Sequence, residues 1–154
     1  MPTTITINLR VQGGKVADKT VYSQGSAKER KMELLDKIQK VKKARGKKYK
    51  VPHDDHSEDL GHDSWITRSG DTVIWISDQQ FMLNVDYDFA PCDPDNGSPR
   101  NPFGWTGSQL AKSDGAGNWI VQGTDQGKGE QFFYKFTAMI DGAEALDPDG
   151  ICDR

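Results

Sequence analysis

The feature that most restricts this chain is a period of two in its second half. In "QFMLNVDYDF" the apolar Phe81, Leu83, Val85, Tyr87 and Phe89 alternate with Met82, Asn84, Asp86 and Asp88. Successive side chains of an extended strand point to opposite faces, so this spacing buries one face and wets the other. A helix would scatter the same residues around its circumference. "TTITINLR" repeats the pattern with Ile5, Ile7 and Leu9. In "DTVIWISD", Val73 and Trp75 share one face while Thr72, Ile74 and Ile76 share the other. Both faces are largely apolar, which predicts a central strand covered on both sides.

Further strands are expected in "KVADKTVYS", "GNWIVQG", "EQFFYKFTAMIDG" and the tail "ALDPDGICDR". Sixteen glycines and seven prolines separate these runs, as a turn-rich β architecture requires. A length of 154 residues suits one domain with a real core. No repeat or linker divides it, so residues 1–154 are read as a single domain.

One segment breaks the pattern. "SAKERKMELLDKIQKVKKARG" places Leu34, Leu35, Ile38 and Val41 at three- and four-residue spacing, the apolar stripe of an amphipathic helix. Ser26 and Glu29 fit a capping box at its start, and Gly46 ends it. Lys28 to Lys50 holds eleven basic and three acidic residues, a net of +8 (11 − 3). Such a block is read first as a solvated face or as one half of an internal charge pairing. Nucleic-acid binding through residues 37–50 is the sharper alternative. Tyr49 is its one aromatic residue, so it offers no stacking platform for bases.

The opposite charge follows at once. "VPHDDHSEDLGHD" carries five carboxylates and every histidine of the chain: His53, His56 and His62. His53 and His56 have the i, i+3 spacing that lets two imidazoles meet one ion. His62 and Asp59 could complete the set, with zinc or another divalent transition metal as the ion. The competing reading is a solvated acidic loop paired with the basic helix.

"ITRSGDTVIWISDQQFMLNVDYDF" resembles the cupredoxin-like family, where a "kGDtVtWxN" strand precedes the strand entering the ligand end. "EQFFYKFTAMIDG" is similar to that family's penultimate strand, usually "G.Y.Y.C..H". The tail resembles the "DP.I.I" ending of some bacterial cupredoxin-like domains. The resemblance covers residues 64–154 and the N-terminal strand, and makes residues 26–63 an insertion. It implies a β-sandwich and, in the family, a copper centre. That centre needs two imidazoles, a thiolate and usually a weak axial thioether. Where the family has its first histidine this chain has Asn84, and where it has its cysteine this chain has Thr137. Met139 follows, but no histidine lies after His62. The resemblance therefore implies the scaffold without copper-mediated electron transfer.

Other groupings are weaker. "GTDQGKGEQ" lacks the spacing of a nucleotide phosphate loop and is read as a hairpin loop. Cys92 and Cys152 are either two reduced thiols or one disulfide in an oxidising setting. No nucleophile elbow occurs, and no catalytic residue is assigned. Trp105 and Trp119, in or beside glycine-rich stretches, are candidates with Arg100 for a binding surface. The start of the chain shows no secretory pattern, and no run is long enough to span a bilayer, so a cytoplasmic location is expected. The expected whole is a mainly β, Greek-key, cupredoxin-like sandwich with one inserted amphipathic helix. Its expected role is non-enzymatic binding or assembly with a protein partner or a second copy and not with a membrane; metal binding by His53, His56 and His62 is the alternative, and nucleic-acid binding through the basic helix the weaker one.

Overall fold

The structure, a computed structural model, describes residues 2–26, 28–30, 32–33, 36, 65–87, 101–127, 132–146 and 149–153. Ten strands form within them: β1 (Thr4–Gln12), β2 (Lys15–Tyr22), β3 (Trp65–Arg68), β4 (Thr72–Ser77), β5 (Met82–Tyr87), β6 (Gln109–Leu110), β7 (Lys112–Ser113), β8 (Trp119–Thr124), β9 (Phe132–Met139) and β10 (Asp149–Asp153). They make two five-stranded sheets, ordered β2-β1-β4-β8-β7 and β3-β10-β9-β5-β6. The protein is mainly β, as the alternation predicts. Most pairings are antiparallel; β1 with β4 and β3 with β10 are parallel.

Alternation sets the core. Ile5, Ile7 and Leu9 of β1, Val73 and Trp75 of β4, and Val121 of β8 face inward from the first sheet. They join Trp65, Leu83, Val85, Phe136 and Ala138 of the second in one buried cluster. Trp75 sits among rings at edge-on angles: Trp65 at 6.0 Å and 81°, Phe103 at 5.5 Å and 88°, Phe136 at 5.8 Å and 75°. Edge-to-face packing is favoured because the positive ring edge meets the negative ring face. The indole Nε1 groups of Trp65 and Trp75 make no conventional hydrogen bond among the described residues.

The expectation for β4 holds on one face and fails on the other. Val73 and Trp75 are fully buried, while Thr72, Ile74 and Ile76 are half-buried. β4 is central within its sheet, between β1 and β8.

"GTDQGKGEQ" is also corrected. Gly123 lies within β8, and the chain then passes from the first sheet to β9 of the second, so the segment is a crossing and not a hairpin. Gly123 has its own cause: a Cβ there would come within 2.8 Å of the rings of Phe103 and Trp105. The loop carrying those rings is tied by Asn101, whose Oδ1 accepts from the Phe103 and Trp105 amides and whose Nδ2 donates to the Val85 carbonyl.

Two seams join the sheets. At one, the chain itself changes sheet: Leu110 pairs with β5, Lys112 pairs with β8, and the buried Ala111 between them donates its amide to the Phe81 carbonyl at 2.9 Å. At the other, β2 and β3 are the outermost strands of their sheets among the described residues. Residues 144–146 bridge part of that gap by bonding Val16 and Gly14 on one side and Ala138 on the other. The rest is closed by side chains.

Residues 28–30, 32, 33 and 36 are helical. Ser26 begins this helix as expected, its Oγ accepting the Glu29 amide at 3.1 Å. The remainder of the expected helix, to Gly46, lies outside the described residues.

Candidate functional site

The side-chain seam is the most highly organised polar cluster among the described residues. β3 is an edge strand, and its Ile66 and Arg68 turn their backbone groups away from β10. An edge of this kind normally leaves amides and carbonyls unpaired. Here all four are satisfied. The Ile66 amide donates to the Tyr22 hydroxyl at 3.1 Å, and the Ile66 carbonyl accepts from Arg30 Nη1 at 2.8 Å. The Arg68 amide donates to Asp71 Oδ2 at 2.8 Å, and the Arg68 carbonyl accepts the Asp71 amide at 2.9 Å.

Asp71 is the hub. Its Oδ2 also accepts from Arg30 Nη1 at 2.6 Å, and its Oδ1 accepts the Thr3 amide at 2.8 Å. The side chains of Arg30 and Asp71 are 7% and 3% exposed. Two charges so buried persist only when paired and hydrogen-bonded, as these are. The Arg30 guanidinium carbon lies 5.2 Å from the Tyr22 ring centre, so the ring face adds a cation–π contact. Burial pushes the Tyr22 hydroxyl above its ordinary value of 10.0, and the hydrogen bond from Ile66 and the charge of Arg30 only partly oppose it.

The neighbouring turn is locked to the same cluster. Gly70 donates to the Asp125 carbonyl and Asp125 to the Asp71 carbonyl, at 2.9 and 2.8 Å. Gly127, at φ 67°, packs so closely on Ser69 that no side chain fits there. Outside, Arg68 pairs with Glu33 of the helix. A cleft of about 450 Å³ opens here, lined by Thr3, Gln24, Glu29, Arg30, Glu33 and Arg68 among others. The Asp71 oxygens are committed as hydrogen-bond acceptors, an arrangement suited to holding elements together rather than to abstracting a proton.

None of the described residues singled out in the sequence belongs to this cluster. His53, His56, His62 and Asp59 lie outside the described residues, as do Arg100 and Cys92; Cys152 is on β10. Trp105 and Trp119 are half-buried and packed against the core cluster. Trp105 stacks at 4.8 Å on Phe103 and 5.7 Å from Trp75. Asn84 and Thr137 are register partners across β5 and β9, half-buried on the face away from the core. Ser108 Oγ lies 3.5 Å from Asn84 Oδ1. No group of three or more metal-binding side chains occurs among the described residues. No helix among them is long and apolar enough to cross a membrane.

Sequence reasoning missed Arg30. It counted as one of eleven cations in a basic run, and Asp71 only as the residue that opens "DTVIWISD". They are 41 positions apart, and neither position advertises the other. A usable signal was the place of Arg30 in the first helical turn, where it points back toward the strands that precede the helix. Comparison with models of known protein families, with characterised proteins and with solved structures gives no match for this chain.

Proposed function

We propose that this protein is a non-enzymatic binding or assembly module built on a cupredoxin-like, Greek-key sandwich that lacks a type 1 copper site. The observation that carries this reading is the pairing of Asn84 with Thr137 across β5 and β9. Those are the positions at which the family resemblance expects imidazole and thiolate. Their meeting in one register supports the alignment, and their chemistry, an amide and a hydroxyl, supplies no donors for a blue-copper centre. The strand order supports the scaffold: the chain alternates between sheets from β3 to β4 to β5, and β1 lies parallel to β4.

The test is a titration of purified, untagged protein with Cu(I) and Cu(II), followed by absorption spectroscopy and elemental analysis. The expected result is no thiolate-to-copper band and no stoichiometric copper. A coloured one-to-one complex lost on Asn84→Ala or Thr137→Ala would overturn the reading.

A further inference from the structure

We infer that the outer face of the first sheet docks an amphipathic α-helix of a partner protein, one whose apolar stripe is flanked by carboxylates. Resting on the assembly reading above, this gives that reading a surface and a partner chemistry.

The sequence of β4 is apolar on both faces, and only one of them reaches the core. Ile74 and Ile76 point outward beside Ile120 of β8, all three half-buried. Strand register orders the rest of this face into rows. One row runs Val21, Thr6, Ile74 and Gln122, with Val21 48% exposed. The next runs Lys19, Asn8, Ile76, Ile120 and Lys112. The aliphatic strip is therefore central, and the second row ends in a cation on each side. Alternation places Arg10 and Lys15 on this face as well.

Charge identifies the occupant. The outward positions of β1, β2, β4, β7 and β8 hold four cations, Arg10, Lys15, Lys19 and Lys112, and no carboxylate. The whole chain carries −3, so this face runs against the protein's overall sign. The acids nearby do not cancel it. Glu144 pairs with Lys15 alone, at 3.6 Å, and Asp114 accepts the Ala116 and Asn118 amides of its own turn. Asp18 takes an inward register position opposite Leu9, and Asp78 lies past the end of β4. Among the described residues, Arg10, Lys19 and Lys112 have no carboxylate partner.

Spacing gives the occupant its form. Lys19 and Lys112 are four strand spacings apart, about 19 Å at about 4.8 Å each. A helix with its side chains is about 10–12 Å across, so one helix laid along β4 covers Ile74, Ile76 and Ile120. Lysines on either side then reach its flanks, and complementary charge selects a helix with acidic ones. A helix over a sheet is also the ordinary second layer for an apolar strand face. No aromatic ring occupies an outward position of these strands, so bases find no stacking platform.

Fluorescence anisotropy with the full chain tests this. The probe is a labelled synthetic helix of about four turns, with leucine at i, i+3, i+4 and i+7 and glutamate elsewhere. Its control carries lysine for every glutamate. The expected result is saturable binding of the glutamate probe, at least tenfold tighter than the control and weakened by salt. The exposed pair Lys19→Glu/Lys112→Glu should weaken it at least tenfold, and Ile76→Ser severalfold. No saturable binding, equal binding of the two probes, or unchanged binding by Lys19→Glu/Lys112→Glu overturns the inference. Phosphatidylserine vesicles or a single-stranded oligonucleotide that bind this face tenfold more tightly than the probe, and displace it, also overturn it. Wild type that ignores the probe yet self-associates as strongly as Lys19→Glu/Lys112→Glu overturns it while leaving the assembly reading standing.

Discussion

The two seams of this sandwich close the same kind of gap by opposite means. Beside β6 and β7 the backbone itself steps from one sheet to the other, with Ala111 as a buried pivot and ladder hydrogen bonds on both sides. Beside β2 and β3 the sheets are sewn partly by residues 144–146 and otherwise by Tyr22, Arg30 and Asp71. The first seam is one continuous stretch of backbone; the second is assembled from side chains on segments distant in sequence. A continuous strand cannot be lifted off its neighbour without breaking the chain path. A side-chain clip can be, and its strength depends on charge, pH and geometry.

The largest expected effect comes from breaking the clip at its hub. Asp71→Ala leaves Arg30 as a buried, uncompensated charge and orphans the Thr3 and Arg68 amides. Removing one partner of a buried pair typically costs about 3–5 kcal/mol. Urea unfolding followed by tryptophan fluorescence measures it. A loss below about 1 kcal/mol would mean the cluster is hydrated and the contrast between the seams is false.

The pivot provides the counterpart. Ala111→Leu forces three carbons into a position already 2% exposed, and overpacking of this kind costs about 1–3 kcal/mol. The cost should be the same in low and high salt, because no charge is involved. Asp71→Ala should by contrast be partly relieved where anions can reach the unpaired Arg30. Equal salt response of the two variants would remove the distinction.

The difference between the seams also explains which parts of this molecule could be read from its sequence. Strands β1, β4, β5, β8 and β9 were legible because a period of two is a local property, visible in any window of six residues. The helix start was legible for the same reason: Ser26 and Glu29 are three apart, and the cap forms between them. β6 and β7 were not, since two-residue strands carry no period and are fixed by Phe81 and β8 from elsewhere. Arg30 and Asp71 were hidden more deeply. Their pairing is a tertiary fact, and a cation inside a run of eleven gives no sign that it is buried. Trp105, a candidate for a binding surface, is half-buried: Asn101 folds its loop so that the ring packs on Phe103 over Gly123.

The smallest expected effect sharpens the comparison through pH. Tyr22 contributes its hydroxyl to the Ile66 amide, so Tyr22→Phe should cost about 1 kcal/mol at neutral pH, the net worth of one hydrogen bond. The sign of its pH dependence follows from burial, which raises the folded-state value above the ordinary 10.0. Between those two values the unfolded chain releases the tyrosine proton while the folded protein retains it. Folding stability attributable to Tyr22 is therefore full below about 10 and falls as pH rises toward the folded-state value. Wild type should lose stability in that alkaline window more steeply than Tyr22→Phe, as read from urea midpoints at stepped pH. Ala111→Leu, which touches the other seam, should retain the wild-type slope. If Tyr22→Phe keeps the full alkaline slope, the hydroxyl is solvated and the polar seam is looser than its hydrogen bonds indicate.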